Sequence, residues 1–229
     1  SGAMRRFLFI NATHPADSHV SALRVASLAR AVARQGYEVY LLTRQSNAAD
    51  GTQSADAREQ ASQQEMPQVI ENSDSGGRVL HIVAPGPPGR QPRGPILLRR
   101  SRTHGNWLRG CSSDPDWVRS ARFVLDRALA DVDIDLVWAT FTPIECWTIA
   151  QAFARQRGVT FVADIKDDWQ VYVPYGLRRL VARKIGSASA LTANSLYHWD
   201  GFPRKNHKRS VIYSGYWRDE IKPRYSPRS

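Results

Sequence analysis

Short apolar segments alternate with segments of helical periodicity along most of this chain, and the alternation is most regular after residue 115. Strands separated by helices pair in parallel, because each helix carries the chain back across the sheet before the next strand. The predicted strands are residues 7–10, 37–43, 78–83, 135–139, 159–165, 188–193 and 211–213, and the predicted helices are residues 18–35, 115–130, 143–157, 175–186 and 195–200. The pattern therefore predicts an α/β fold, a Rossmann-like, doubly wound parallel sheet of about seven strands in three α/β/α layers.

The chain is long enough to form one α/β domain with a sizeable core. It has 229 residues, of which 42% are apolar, a composition typical of globular proteins. Residues 1–3 precede the first methionine and are interpreted as an expression scar, so we expect the domain to span residues 4–216. Residues 46–77 are rich in polar and acidic side chains, and we expect a flexible insertion there because such a segment buries little apolar surface.

Several kinds of site are disfavoured by the residues that the chain lacks. Cys111 and Cys146 are the only cysteines, which suits a reducing cytoplasm, and the six histidines show no metal-ligand spacing. There is no G-x-G-x-x-G dinucleotide motif and no G-x-S-x-G nucleophile motif. No apolar run approaches the roughly 18 residues that a membrane span needs. We therefore expect a cytoplasmic protein without a metal or a bound cofactor.

Positive charge is concentrated near the C-terminus. The formal net charge is +11, and residues 166–229 contain thirteen Lys or Arg against five Asp or Glu, which amounts to +8. Such a balance indicates an anionic partner, which could be a nucleic acid, an acidic membrane surface or a phosphorylated substrate. Nucleic acid is disfavoured, because the aromatic residues do not alternate with Lys and Arg on strands as stacking platforms would require.

A membrane contact is one way to use this charge. Residues 177–185 form an amphipathic helix, and residues 90–109 are basic, so together they could contact anionic headgroups at about 1 kcal/mol per cation. The alternative is an ordinary solvated face. The candidate membrane contacts are Arg99, Arg100, Arg102, Trp107, Arg178, Arg179 and Arg183.

Polar residues that follow the predicted strands are the candidates for a functional site. Ligands of open α/β sheets bind beyond the carboxyl ends of the strands, and the 159–165 strand is followed at once by Lys166, Asp167 and Asp168. The alternative is a helix start, with Asp167 or Asp168 as the capping residue. The first loop precedes a helix whose free amides could bind phosphate, although its polar residues could equally be turn and cap residues. Further candidates for substrate binding in the first loop and at the 140–143 corner are Asn11, Thr13, His14, Asp17, Thr140 and Thr142.

Several segments, taken in order, resemble one enzyme family. They are the strand Phe7–Ile10, the helix with Arg24, Gln35–Val39, the Asp164–Gln170 run DIKDDWQ, the Ala188–Ser195 run ASALTANS and the Val211–Gly215 run VIYSG. The chain resembles the N-terminal domain of GT-B glycosyltransferases, particularly the retaining family-4 group of bacterial surface polysaccharide synthesis. It departs from the family at the paired glycines of the first loop, which are Asp17 and Ser18 here, and at Ser214 and Lys166, where relatives have Asn and Arg or His.

The resemblance implies the acceptor-binding half of a two-domain enzyme. Residues 217–229 would begin the linker to a C-terminal domain that binds the nucleotide-sugar donor, and this half alone would be inactive. The acceptor would be a glycan or a polyprenyl-linked sugar at the inner face of the plasma membrane. In the family's pattern Asp167 would orient the acceptor hydroxyl or accept its proton, and Lys166 would offset negative charge from the donor or from a lipid diphosphate. Trp169 would stack on a sugar ring, and Ser18 and Arg24 join the substrate-binding candidates. The alternative is a non-catalytic basic module that binds anionic partners.

Overall fold

A computed structural model of the chain describes residues 4–17, 19–46, 68–72, 76–86, 104–108, 112–141, 143–173, 175–199 and 208–213. Within these ranges eight strands form one sheet in the order β3-β4-β2-β1-β5-β6-β7-β8. The strands are β1 Arg6–Ile10, β2 Glu38–Arg44, β3 Gln68–Asn72, β4 Arg78–Ala84, β5 Leu136–Thr140, β6 Thr160–Ile165, β7 Ala190–Ala193 and β8 Lys208–Val211. All neighbours pair in parallel except β3 and β4. The predicted α/β fold with a doubly wound parallel sheet is confirmed.

Helices cover both faces of the sheet, as the three-layer prediction requires. Those in the described residues are α1 Val20–Ala33, α2 at 104–108, α3 Pro115–Ala128, α4 Glu145–Arg157, α5 Trp169–Tyr172 and α6 Arg178–Ile185. Successive strand residues point to opposite faces, so each buried strand contributes to two cores. Leu8 and Ile10 pack with α3 and α4, whereas Phe9 packs with Val25 and Ala29 of α1.

The structure corrects the predicted insertion at residues 46–77. Residues 68–72 form β3, which pairs with β4 in an antiparallel manner at the edge of the sheet. The polar composition of the whole stretch concealed the adjacent Val69 and Ile70, whose β-branched side chains favour a strand. The rest of the stretch, apart from residues 46, 76 and 77, lies outside the described residues.

The end of α1 and the start of β4 come into close contact. Gly36 has a φ of +85°, the left-handed conformation that glycine adopts easily after a helix. A Cβ atom at Gly77 would lie 2.0 Å from the carbonyl oxygen of Ala33, so only glycine fits there without a main-chain shift.

Parallel pairing brings the ends of the central strands to one edge, which we call the carboxyl rim. The rim comprises the residues that follow β1, β5, β6 and β7, namely Asn11, Phe141, Lys166 and Asn194. Main-chain hydrogen bonds tie these ends together: Phe141 N donates to Asp164 O at 2.7 Å, and Asn194 N donates to Ile165 O at 3.2 Å. The first loop, the 140–143 corner and the residues after β6 therefore share one edge.

Candidate active site at the carboxyl rim

The charged run after β6 divides into three different environments. Lys166 is only 9% exposed, whereas Asp167 and Asp168 are partly buried. Asp168 caps α5, because its Oδ1 accepts a hydrogen bond from Gln170 N at 3.0 Å. The capping alternative therefore applies to Asp168, which leaves Lys166 and Asp167 as the candidates for chemistry.

The Lys166 amine joins the end of β6 to α1 and to the first loop. Its Nζ donates to Ser21 Oγ, and Ser21 Oγ donates to Asn11 Oδ1 at 3.1 Å. Asn11 Nδ2 in turn donates to the carbonyl oxygens of Ser21 at 3.3 Å and Thr13 at 3.2 Å. Burial lowers the pKa of Lys166, while the negative charge of Asp167 acts in the opposite direction.

A buried ion pair lies next to this chain of contacts. The Arg24 guanidinium donates to both carboxylate oxygens of Asp164, at 2.6 Å and 3.0 Å. Thr192 Oγ1 donates to Asp164 Oδ1 at 2.7 Å and accepts from Trp138 Nε1 at 3.1 Å. Arg24 also donates to the carbonyl oxygen of Ile212 at 3.2 Å.

This arrangement changes the interpretation of Arg24, which the sequence placed among the substrate-binding candidates. Its side chain is buried, and its charge is compensated by Asp164 inside the fold. A buried charge needs such a partner, because removal from water costs several kcal/mol. We therefore assign Arg24 a structural contact between α1 and β6.

Two tryptophans are placed differently from the expectation. Trp169 is 4% exposed and belongs to the main core, so its ring is not available to a sugar at the surface. Trp107, expected to contact a membrane, is also buried in that core. The physical reason is the large apolar area of an indole, which stabilises the fold most when it is removed from water.

The remaining expected membrane contacts lie on α6 or outside the described residues. Arg179 and Arg183 are exposed. Arg178 is partly buried, donates to Gln170 O at 2.8 Å and stacks over the Tyr175 ring at 5.0 Å. The candidates outside the described residues are Arg99, Arg100 and Arg102.

The first loop is held by hydrogen bonds of its own. Asp17 accepts from His14 N at 3.2 Å and from Ser46 Oγ at 2.5 Å. The His14 ring lies 4.8 Å from the ring of His81, and His81 Nε2 contacts Thr43 Oγ1 at 2.8 Å. Burial lowers the pKa of His14, and it lowers the pKa of His81 to about 4. Both imidazoles are therefore neutral near pH 7.

The amides at the start of α1 are already bonded. His19 Nδ1 accepts from Ser21 N at 3.1 Å, and the His19 carbonyl oxygen accepts from the amides of Ala22 and Leu23. These three amides are thus not free to bind phosphate, contrary to the expectation for this helix start.

Of the two threonines proposed to bind substrate at the 140–143 corner, one is buried and the other lies outside the described residues. Thr140 is fully buried, and its Oγ1 donates to the carbonyl oxygen of Phe141 at 3.4 Å. Thr142 and the first-loop residue Ser18 lie outside the described residues.

Sequence reasoning missed Ser21, Asp164 and Thr192. Asp164 carried a signal, because a carboxylate inside the apolar run of a buried strand needs a partner. Ser21 lies three residues before Arg24, so both residues occupy one face of α1. Nothing local in the sequence distinguishes Thr192 from any other strand threonine.

Neither a metal site nor a membrane-spanning helix occurs among the described residues. No group of three His, Cys, Asp or Glu side chains in them is placed to hold a metal ion. None of the helices described is both long and apolar enough to cross a membrane.

Solved structures with the same fold include the sucrose-phosphate synthase of Thermosynechococcus elongatus. It aligns with a TM-score of 0.54 and 15% identity over 92% of this chain and 90% of that chain. The kitacinnamycin glycotransferase aligns with a TM-score of 0.51 and 11% identity over 99% of this chain and 56% of that chain. The fold is shared with glycosyltransferases. It is the Rossmann-like α/β fold found in the GT-B class.

HepE of Anabaena, solved in complex with UDP and glucose, aligns with a TM-score of 0.47 and 15% identity over 93% of this chain and 45% of that chain. The chain thus spans about half the length of HepE and of the kitacinnamycin enzyme. The sequence matches no protein-family profile and no curated protein.

Proposed function

We propose that the chain is the acceptor-binding half of a glycosyltransferase. The complete enzyme would transfer a sugar, of hexose type, from a nucleotide-sugar to a glycan or lipid-linked acceptor in cell-surface polysaccharide synthesis. The observation that carries this proposal is the contact of the Lys166 amine, through Ser21, with the start of the first loop at the carboxyl rim, where the negative charge of Asp167 acts on the same amine. The GT-B-type fold supports the reaction class, and the family-4 resemblance supports a retaining outcome.

In this proposal the rim supplies two charges to the reaction. Asp167 is partly buried beside the rim, where a carboxylate can orient an acceptor hydroxyl or accept its proton. Lys166 stabilises the negative charge that develops on the donor diphosphate when the sugar leaves, which is the usual role of a cation at a phosphate leaving group. Thr13 is partly buried in the neighbouring first loop and remains a candidate for hydroxyl contacts, whereas Asn11 is 1% exposed and its side-chain amide is already bonded to Ser21 and Thr13.

A second domain completes the site. Residues 217–229 lead to it in this proposal, and it binds the nucleotide part of the donor. The length of the kitacinnamycin enzyme, of which this chain covers 56%, agrees with such an arrangement. We expect this half alone to bind acceptor without transferring sugar.

The proposal also includes a contact between α6 and an anionic membrane surface. Arg179 and Arg183 are exposed on α6, and cations of this kind favour anionic headgroups by about 1 kcal/mol each. The protein would then work at the cytoplasmic face of the plasma membrane. Replacement of both arginines by glutamate should abolish sedimentation with phosphatidylglycerol vesicles, and sedimentation with pure phosphatidylcholine vesicles serves as the uncharged control.

The reaction is tested in the full-length enzyme with Asp167→Asn, and Asp168→Asn is the matched control. General acid–base catalysis contributes roughly 10²–10⁴-fold, so Asp167→Asn should lower kcat at least a hundredfold. Asp168→Asn should change kcat less than about twofold, because asparagine also caps a helix well. Sugar transfer from UDP- and GDP-sugars to lipid-linked acceptors is measured by mass spectrometry.

The results of these experiments distinguish the proposed glycosyltransferase from the non-catalytic basic module. Unchanged turnover in Asp167→Asn would remove this carboxylate from the mechanism. Failure of the full-length protein to bind any nucleotide-sugar, together with retained vesicle binding, would favour the non-catalytic basic module.

A further inference from the structure

The Lys166 amine is an unusual group for a protein interior. An ammonium has three N–H donors. Among the described residues Ser21 Oγ is the acceptor that it contacts, and the side chain is 9% exposed. A buried cation is costly unless acceptors or anions compensate it, and no acceptor for two of the three donors lies among the described residues, so the site favours a ligand that supplies one.

Ser21 is held from several sides. Its amide is bonded to His19 Nδ1, its carbonyl oxygen accepts from Asn11 Nδ2, and its hydroxyl donates to Asn11 Oδ1. The side chain is 3% exposed. Because these contacts fix the main chain as well as the hydroxyl, Ser21 Oγ presents a stationary acceptor to the lysine.

A second contact keeps α1 and β6 in register. Ser21 and Arg24 are three residues apart on one helix face. Their partners are Asp164 near the end of β6 and Lys166 directly after it, two positions further along the chain. The two pairs form consecutive cross-links between the helix and the strand end. The bidentate Arg24–Asp164 pair resists sliding of the helix, and therefore maintains the distance from Ser21 to the amine.

We propose that Ser21 is the positioning residue for the Lys166 amine, and that the other two N–H groups of this amine bind a phosphate oxygen of the substrate. The substrate class, a phosphate ester or diphosphate, rests on the proposed function. Ser21 acts only through Lys166 and does not touch the reacting atoms.

The first test measures the amine directly, without any activity. The chain contains five lysines, Lys166, Lys184, Lys205, Lys208 and Lys222, so their Cε signals can be resolved by NMR and assigned by Lys166→Met. Ser21 Oγ accepts a hydrogen bond from the charged form, so Ser21→Ala should move the titration midpoint of Lys166 to lower pH. An unchanged midpoint would overturn the proposal.

Ser27→Ala is the matched control. Ser27 is also a buried serine of α1, 8% exposed, and its Oγ has no hydrogen-bond partner among the described residues. Ser27→Ala should leave the Lys166 midpoint unchanged, and an equal shift in both variants would overturn the proposal because it would indicate general loosening of α1. If Ser21→Ala does not fold, Ser21→Cys replaces it as a weakly accepting variant of similar size.

The second test adds the ligand and the reaction. Inorganic pyrophosphate should shift the Lys166 signal in the wild-type protein. It should bind about tenfold more weakly to Ser21→Ala, because the loss of one hydrogen bond to a charged group lowers affinity by about that factor. Pyrophosphate that leaves the Lys166 signal unmoved would overturn the phosphate part of the proposal. In the full-length enzyme Ser21→Ala should lower kcat about tenfold with little change in the acceptor KM, and Ser21→Thr should restore part of it.

The failures of the two proposals are distinguishable. A Ser21-dependent midpoint and pyrophosphate contact in a full-length protein without transferase activity would support the positioning of Lys166 and contradict the proposed function. Transferase activity in a protein whose Lys166 titration midpoint is the same with and without the Ser21 hydroxyl would support the proposed function and contradict the positioning role of Ser21.

Discussion

His81 makes the stability of this protein depend on pH in a defined window. It lies on β4 with 8% of its surface exposed, and its ring is enclosed by His14 and Thr43. Desolvation lowers the pKa of His81 from 6.5 to about 4, and the nearby His14 acts in the same direction. Between these two values the unfolded chain binds a proton that the folded chain does not bind.

The sign and the size of the effect follow from this difference. Since the unfolded state binds more protons, the free energy of unfolding rises with pH and falls as the pH is lowered through 6.5 towards 4. One pKa unit corresponds to about 1.4 kcal/mol, so the full effect is about 3 kcal/mol, of which about 2 kcal/mol is lost between pH 7.5 and pH 5. The lowered pKa of His14 adds to the loss in the same direction.

Three other groups with shifted pKa values act outside this window. The pKa of Glu38 lies below 4.5, and the pKa values of Tyr40 and Cys146 are raised to about 12. Their contributions to the free energy of unfolding therefore change with pH below pH 4.5 or in the alkaline range. The two histidines act inside the window, because each has a lowered pKa in the folded protein and an ordinary value of 6.5 in the unfolded chain.

Urea unfolding followed by tryptophan fluorescence at pH 7.5, 6.5, 5.5 and 5.0 measures the effect. The wild-type free energy of unfolding should fall by about 2 kcal/mol or more across the series. His81→Gln keeps a group that can contact Thr43 but does not titrate, so most of the slope should disappear even if the variant is less stable at pH 7.5. Equal slopes in the two proteins would refute the assignment to His81.

Two further sets of substitutions test the packing around α1 by urea unfolding at pH 7.5. Asp164→Asn leaves the buried Arg24 charge uncompensated and should lower the free energy of unfolding by about 3–5 kcal/mol. The double variant that combines Arg24→Met with Asp164→Leu should cost less, because it leaves no unpaired buried charge; an equal or larger loss in the double variant would contradict this account of the ion pair. Gly77→Ala places a Cβ 2.0 Å from a carbonyl oxygen and should cost about 1–3 kcal/mol, while Gly105→Ala meets nothing within 4 Å and should be nearly neutral. Similar stabilities of the two alanine variants would show that the main chain at residue 77 yields easily.

The overall fold was accessible from sequence because its signals are local. Apolar runs of strand length, helical periodicity and the glycine after α1 identify most elements within a few residues. The strand at residues 208–211 was predicted three residues too late, because edge strands are exposed and the apolar residues that follow gave the stronger pattern. The strand at residues 68–72 was missed for a similar reason, since it is short and lies within a polar stretch.

The sequence by itself indicated which residues arrive at the carboxyl rim, because parallel pairing follows from the alternation of strands and helices. It did not determine what those residues contact there. Lys166 meets Ser21 across 145 positions and Arg24 meets Asp164 across 140, and such pairs leave no trace in local periodicity. Only the tertiary structure decided that Arg24 is neutralised inside the fold, that Trp169 is buried and that the Lys166 amine contacts Ser21. Burial decides these roles, because a charge or an indole acts on a ligand only when the fold has not already given it a partner.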